Sequence, residues 1–154
     1  VEYALDTMKL AREAGLKNIW KTAGYATKET LDAIIPYLDA VNVDLKGTDD
    51  EVYKEHCGGT AQSVLDTIKH FYAAGVHLEI ATLVVPGVND RVDQLERMAR
   101  FIAEEVGKEV PWHVNRFFPA WKMMDAAITP METLETAAAI GKKYGLQHVH
   151  IGNV

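Results

Sequence analysis

Cysteine occurs once in this chain of 154 residues, at Cys57. A single thiol excludes an internal disulfide and fits a reducing compartment, so the cytoplasm is the expected location. It also excludes a self-contained iron–sulfur site, because a [4Fe–4S] cluster normally takes at least three cysteine thiolates. Long apolar runs are missing as well. No stretch approaches the roughly 20 residues that cross a bilayer, which excludes a membrane-spanning helix. Positive charge is in deficit, with 16 Lys and Arg against 22 Asp and Glu and a formal net charge of −6. That balance argues against an extended nucleic-acid surface, which needs clustered cations. The N-terminus has no basic n-region, no apolar h-region and no initial Met. Val1 leads straight into a helical pattern, as expected of a chain cut inside an element or just before one.

Several signatures of common chemistry are also absent. The sequence holds no G-x-G-x-x-G, no Walker-type loop and no G-x-S-x-G elbow, which removes the usual support for dinucleotide, NTP and serine-hydrolase readings. What is present is a composition with 48% apolar and 25% charged residues, which excludes disorder and collagen-like structure. The length suits a single domain, residues 1–154, with a real hydrophobic core.

Along the chain, helical patterns alternate with short apolar strands. Helices are expected over residues 1–14, 27–35, 49–56, 61–74, from Asn89 or Asp90 to 106, and 131–144. Strands are expected over 18–22, 40–46, 76–85, 111–118 and 148–151. Thr27 is the expected cap of the second helix, and Asn89 or Asp90 of the fifth. Strands separated by helices pair in parallel, since the chain needs a crossover to return. Five of them fit either a doubly wound sheet or a β/α barrel. In both architectures functional residues gather in the loops after the strands. Those loops carry Thr22-Ala23-Gly24-Tyr25, Asp44-Leu45-Lys46-Gly47, Val85 to Asp90, and Arg116-Phe117-Phe118-Pro119.

Asp44 and Lys46 lie two apart on one strand, so their side chains share a face. On a barrel strand that face can be the lumen, where the opposite charges could grip an amino acid or a ribose. A plain salt bridge closing the strand end is the commoner outcome of such spacing. Gly24 permits a close backbone approach to a ligand, or simply a turn. His148 and His150 share a face of the last strand and His113 lies on the fourth, a pattern that could ligate metal without any H-E-x-x-H partner motif. Cys57 beside Gly58-Gly59 lies away from the strand-end loops and reads as a partly buried free thiol.

Taken in order, Val41-Asn42-Val43-Asp44-Leu45-Lys46, Leu83 to Asp90 and Val110 to Phe117 resemble the radical SAM enzymes akin to pyruvate formate-lyase activating enzyme. With the ending Tyr144-Gly145-Leu146 and His150 to Val154, they look closest to the radical SAM proteins of the AmmeMemoRadiSam system. The resemblance covers nearly the whole chain and implies α/β architecture, parallel β/α repeats forming part of an open, TIM-like (β/α)6 barrel. It implies S-adenosylmethionine (SAM) and a [4Fe–4S] cluster whose ligands lie outside this chain. It implies an external electron donor, and a protein or small molecule as the radical's substrate. In activases of this type the 5′-deoxyadenosyl radical takes hydrogen from a glycine of a partner protein.

Carried over by motif, the resemblance makes Asp44 and Lys46 the D-x-K pair that helps to hold SAM. It places Thr22, Gly24 and Leu83 at the strand ends around it, with Ala81 on the same strand as Leu83. Phe118 and Trp121 fall in the loop near the adenosine. The sequence departs from the family at several places, among them the glycine-rich stretch after the family's second strand, which is absent. The Cys-x3-Cys-x2-Cys motif is absent, Thr-Asn-Gly reads Thr22-Ala23-Gly24, Ala81 stands where Arg is frequent, and Phe118 or Trp121 stands where His is frequent. Lys21 occupies a position where related activases can carry an acidic residue. The isolated fragment is therefore expected to be inactive. Two other readings of the residues remain: a TIM-barrel lyase or metal hydrolase using Asp44, Lys46 and His148/His150, and a non-catalytic module that binds a partner.

Overall fold

The computed structural model describes all 154 residues. Six helices, α1 (Glu2–Glu13), α2 (Lys28–Ile34), α3 (Asp50–His56), α4 (Ala61–Ala73), α5 (Val92–Phe101) and α6 (Met131–Lys143), alternate with five strands. These are β1 (Ile19–Thr22), β2 (Ala40–Asp44), β3 (His77–Val84), β4 (Trp112–Arg116) and β5 (Val149–Gly152). The strands form one sheet in the order β1-β2-β3-β4-β5, and every neighbouring pair is parallel. A doubly wound sheet reverses its strand order at a switch point. Sequential order without reversal is instead the winding of a β/α barrel. Right-handed crossovers then put all the helices on one side.

Burial shows which side that is. Val41, Val43 and Leu45 of the second repeat, Leu78, Ile80 and Val84 of β3, and Trp112 and Val114 of β4 all join one buried cluster. The helices supply the facing layer through Ile34, Val64, Ile68, Phe71, Leu95, Met98, Ile102 and Leu134. These recur at helical spacing, as the apolar periodicity requires. Tyr72 is the exception on α4. It turns outward and donates its hydroxyl to Glu109 at 2.8 Å. The alternate strand positions, Asn42, Asp44, Glu79, Leu83, His113, Asn115 and His150, occupy the other face, which no helix covers. In a closed barrel that face is the lumen.

Local chemistry sets most boundaries. Thr27 caps α2 by accepting the Thr30 N–H at 3.3 Å. Pro36 falls in a 3-10 turn, Ile35–Tyr37, that ends the same helical segment. The start of α5 departs from expectation. Neither Asn89 nor Asp90 caps it; the Arg91 N–H donates to the Gln94 side chain, and the helix opens at Val92. Asp90 closes the preceding turn by accepting the Gly87 N–H at 2.9 Å, and Asn89 turns inward to become one of the most buried polar residues. The last turn of the α5 segment widens into a π-helix, Ile102–Val106.

Candidate functional site

The C-terminal ends of β2 and β3 position the charged residues. Parallel register sets Asn42 beside Lys21 on one side and beside Glu79 on the other. One step along, Asp44 pairs with Ala81, and Ala81 with His113. The uncovered face therefore carries a polar stripe that runs through Lys21, Asn42, Glu79 and His113, while Ala81 separates Asp44 from His113 in the next row. Lys46 Nζ lies 3.3 Å from Asp44 Oδ2, and Lys21 Nζ holds the other Asp44 oxygen while also donating to Asn42 Oδ1 at 2.6 Å. Asp44 is thus clamped between two cations, Lys21 of β1 and Lys46 just past the end of β2.

Farther across the sheet, Glu79 accepts from His113 Nε2 at 3.0 Å and from Asn42 at 3.5 Å, while His77 approaches it at 3.5 Å. Partial burial works to raise the Glu79 carboxyl, but the charge of His113 and the hydrogen bonds from His77, Asn42 and His113 outweigh it. The net effect holds Glu79 below its ordinary value. His113 in turn stacks on His150, ring centroids 5.1 Å apart. His148 precedes β5, and no group of three His, Cys, Asp or Glu side chains is brought within reach of one metal ion. The geometry therefore gives the metal-hydrolase reading no ligand set.

A cleft of about 510 Å³ opens at this end of the sheet, lined among others by Lys46, Leu83, Asn89 and Trp121. Its wall mixes two lysines, Lys46 and Lys122, and the polar Glu55 and His56 with apolar and aromatic surface. Lys46 also borders a smaller cavity of about 170 Å³ with Tyr25, Tyr53 and Cys57. Cys57 itself is exposed rather than partly buried.

The residues singled out from sequence separate into three groups. Asp44, Lys46 and Leu83 share the uncovered face, with Lys46 and Leu83 on one cleft. Thr22 aligns with Val43, on the helix-packed face, and spends its hydroxyl on the Gly24 N–H at 3.1 Å. Gly24 has φ of +76°, and a Cβ there would lie 2.7 Å from Val43 Cγ1. Its close approach is to the core. Phe118 lies beyond β4, half exposed, with the Arg116 guanidinium 5.4 Å from its ring centroid, while Trp121 of the same loop reaches the cleft.

Three buried polar residues hold this end of the sheet, two of them, Thr82 and Thr129, passed over by sequence reasoning and the third, Asn89, expected there only as a helix cap. Thr129 donates to the Val84 carbonyl at 2.6 Å and accepts the Phe117 N–H at 2.9 Å, fixing the end of the Phe118–Trp121 loop over β3 and β4. Thr82 accepts from the Trp112 indole at 2.9 Å and donates to the Leu45 carbonyl at 2.8 Å. Asn89 accepts the Val85 N–H at 2.7 Å and donates to the carbonyls of Lys46 and Leu83, each at 3.0 Å. The sequence signal was weak in each case: Thr82 is one polar residue inside an apolar strand, Thr129 lies in a loop before α6, and Asn89 has the side chain of an ordinary cap.

The pattern of the Radical SAM superfamily matches residues 1–102. An uncharacterized protein of Methanocaldococcus jannaschii is 42% identical over 153 residues, covering 99% of this chain and 45% of that protein. The pyruvate formate-lyase-activating enzyme of Clostridium pasteurianum is 30% identical over 123 residues, 75% of this chain and 51% of that enzyme. The chain spans about half the length of these relatives or less. Among solved structures, a domain of pyruvate-formate lyase-activating enzyme from Bacteroides vulgatus superposes with a TM-score of 0.85 at 22% identity, covering 99% of this chain and 91% of that one. Streptococcus suis SuiB bound to S-adenosylmethionine gives a TM-score of 0.72 at 12% identity, with 96% and 35% covered. Both likenesses show the fold.

Proposed function

The chain belongs to the radical SAM superfamily, and from that premise we propose that it is the SAM-holding part of a glycyl-radical activase-like enzyme. Proteins of this superfamily work with SAM and a [4Fe–4S] cluster. The observation that carries the finer reading is the Asp44–Lys46 pair at 3.3 Å, on the uncovered face and beside the 510 Å³ cleft. The methionine end of SAM carries an ammonium, a sulfonium and a carboxylate, so it needs both signs of charge close together. Asp44 and Lys46 supply them. The adenine needs an apolar and aromatic wall, and Leu83 and Trp121 line the same cleft. The donor set fits SAM.

It does not fit the cluster. Cys57 supplies one thiolate where at least three are normally needed. In this reading the cluster's ligands and the electron donor lie outside these residues. SAM at a reduced cluster supplies the radical chemistry. The residues of this chain bind and orient it, and the cleft limits the access of water. The relatives named as activating enzymes support a radical passed to a partner protein, and the lone thiol supports a cytoplasmic setting.

Calorimetric titration of SAM into this chain tests the reading. The native chain should bind, and Asp44→Ala and Lys46→Ala should each weaken binding by on the order of tenfold, the effect of losing a charged hydrogen-bonding partner. Binding that ignores both substitutions would overturn it.

A further inference from the structure

The strand that presents Lys46 ends before Lys46 is reached. β2 stops at Asp44, and the last ladder bond on that side runs from the Leu45 N–H to the Ala81 carbonyl at 2.8 Å. Beyond it neither the N–H nor the carbonyl of Lys46 has a backbone partner. Side chains continue the ladder instead. The Lys46 N–H donates to the Tyr53 hydroxyl at 3.1 Å, and the Lys46 carbonyl accepts from Asn89 at 3.0 Å. Tyr53 comes from α3 and Asn89 from the turn before α5, so two different β/α connections grip the backbone of one residue, on the peptide before it and the peptide after it. Both residues are buried, Tyr53 at 3% and Asn89 at 2% relative exposure.

Neither grip is free to drift. Asn89 is itself fixed at three points, since its oxygen accepts from Val85 and its amide also reaches the Leu83 carbonyl. Tyr53 is packed into the main apolar cluster, and burial pushes its hydroxyl up to about 12, so it stays a neutral partner at physiological pH. A lysine with four rotatable bonds is otherwise a poorly ordered ligand, and fixing its backbone removes part of that freedom before binding.

We propose that Asn89 and Tyr53 are positioning residues for Lys46, holding its backbone on both sides of the Cα so that its ammonium meets Asp44 and the bound cofactor. This rests on the reading of Asp44 and Lys46 as the SAM site. A purely structural latch would tie the β3–α5 turn to the sheet and affect SAM only through general loosening. The two roles differ in whether the effect passes through the Lys46 side chain.

A double-substitution cycle read by NMR titration of SAM separates them. Asn89→Asp keeps the acceptor for Val85 and loses both donations; Tyr53→Phe loses only the acceptor for Lys46. Each should weaken SAM binding by on the order of tenfold in the native background, the scale of a modest misplacement of a positioned group. In a Lys46→Gln background each should change it by less than about twofold, because the group they position is gone. Equal losses in both backgrounds, or no loss in the native one, would overturn the inference. If the native chain binds no SAM, the site reading fails first and the inference falls with it. Using both variants guards against one that disturbs folding, which thermal melts would reveal.

Discussion

Lys21 on β1 and Lys46 just past β2 hold opposite oxygens of a single carboxylate, that of Asp44. Neither ion pair is buried. Lys21 is 58% exposed, Asp44 38% and Lys46 33% in their side chains. Exposed pairs of this kind contribute roughly 0–1 kcal/mol to stability. The arrangement therefore matters for the local field more than for the fold. It sets one negative charge between two positive ones on a face where a cationic ligand is expected to dock.

Lys21 competes with such a ligand for Asp44, which gives a prediction of definite sign. Lys21→Gln keeps a polar partner for Asn42 and removes one cation beside the carboxylate. SAM, whose sulfonium and ammonium are both positive, should bind about two- to fivefold more tightly at low ionic strength. The gain should shrink as salt is added, because these groups are solvent-exposed and screened. Stability should change by less than about 1 kcal/mol. Titrations at low and high salt check the pattern, and weaker binding in the variant would count against competition for Asp44.

Glu79 carries the pH dependence of the same face. Its carboxyl is held below its ordinary value of 4.5, with His113 the main lowering influence against burial. A depressed folded-state value means that the unfolded chain takes up the proton first as pH falls. The stabilisation is thus fully present above the ordinary carboxylate range and is lost as pH drops through the lower folded value. Glu79 is 36% exposed, so screening keeps the effect small. Thermal melts of the native chain and Glu79→Gln should show the native chain's advantage shrinking below pH 4.5. A constant difference across that range would show that the carboxylate's charge is not involved.

Gly24 separates a packing requirement from a ligand requirement. With φ of +76° and Val43 Cγ1 at 2.7 Å and Val64 Cγ1 at 3.1 Å from a built Cβ, alanine meets both backbone strain and core overlap. Overpacking of this kind costs roughly 1–3 kcal/mol, and the left-handed backbone adds roughly 1–2 kcal/mol. Gly24→Ala should lower the urea midpoint whether or not SAM is present. Native stability in the variant would refute the packing account.

Much of the architecture could be read from the chain itself. The apolar alternation of Val41, Val43 and Leu45 and the helical spacing of Leu95, Met98 and Ile102 each report a period that burial enforces, so the elements and the helix-packed face were legible. Whether the sheet was doubly wound or barrel-like was not legible, since strand order depends on which strands pair and not on any strand's own pattern. The Asp44–Lys46 pair was visible because the partners are two residues apart in one segment, although β2 itself ends at Asp44. Lys21, Glu79 and His113 became neighbours only through parallel register. Thr22 looked equivalent to Asp44 as a strand-end polar residue, yet one step of alternation sends it to the opposite face. Asn89 reads as a helix cap in the sequence because a cap and a buried latch use the same side chain, and only its partners at Val85, Lys46 and Leu83 distinguish them.

Cys57 provides the last test, because it bears on the division between cofactor holding and electron transfer. It is exposed, follows α3, and borders the two cavities that Lys46 also lines. Its place near the cleft invites a role as a cluster ligand, yet a single thiolate leaves the remaining irons without sulfur ligands from this chain. Anaerobic reconstitution of these residues with iron and sulfide should therefore yield no stable [4Fe–4S] absorption band after desalting. Cys57→Ser should behave in the same way and leave SAM affinity within about twofold of native, since no charged partner of SAM is lost. A stable cluster in the native chain that disappears in Cys57→Ser would place electron transfer within these residues and reassign the cleft from holding SAM alone to holding the cluster beside it.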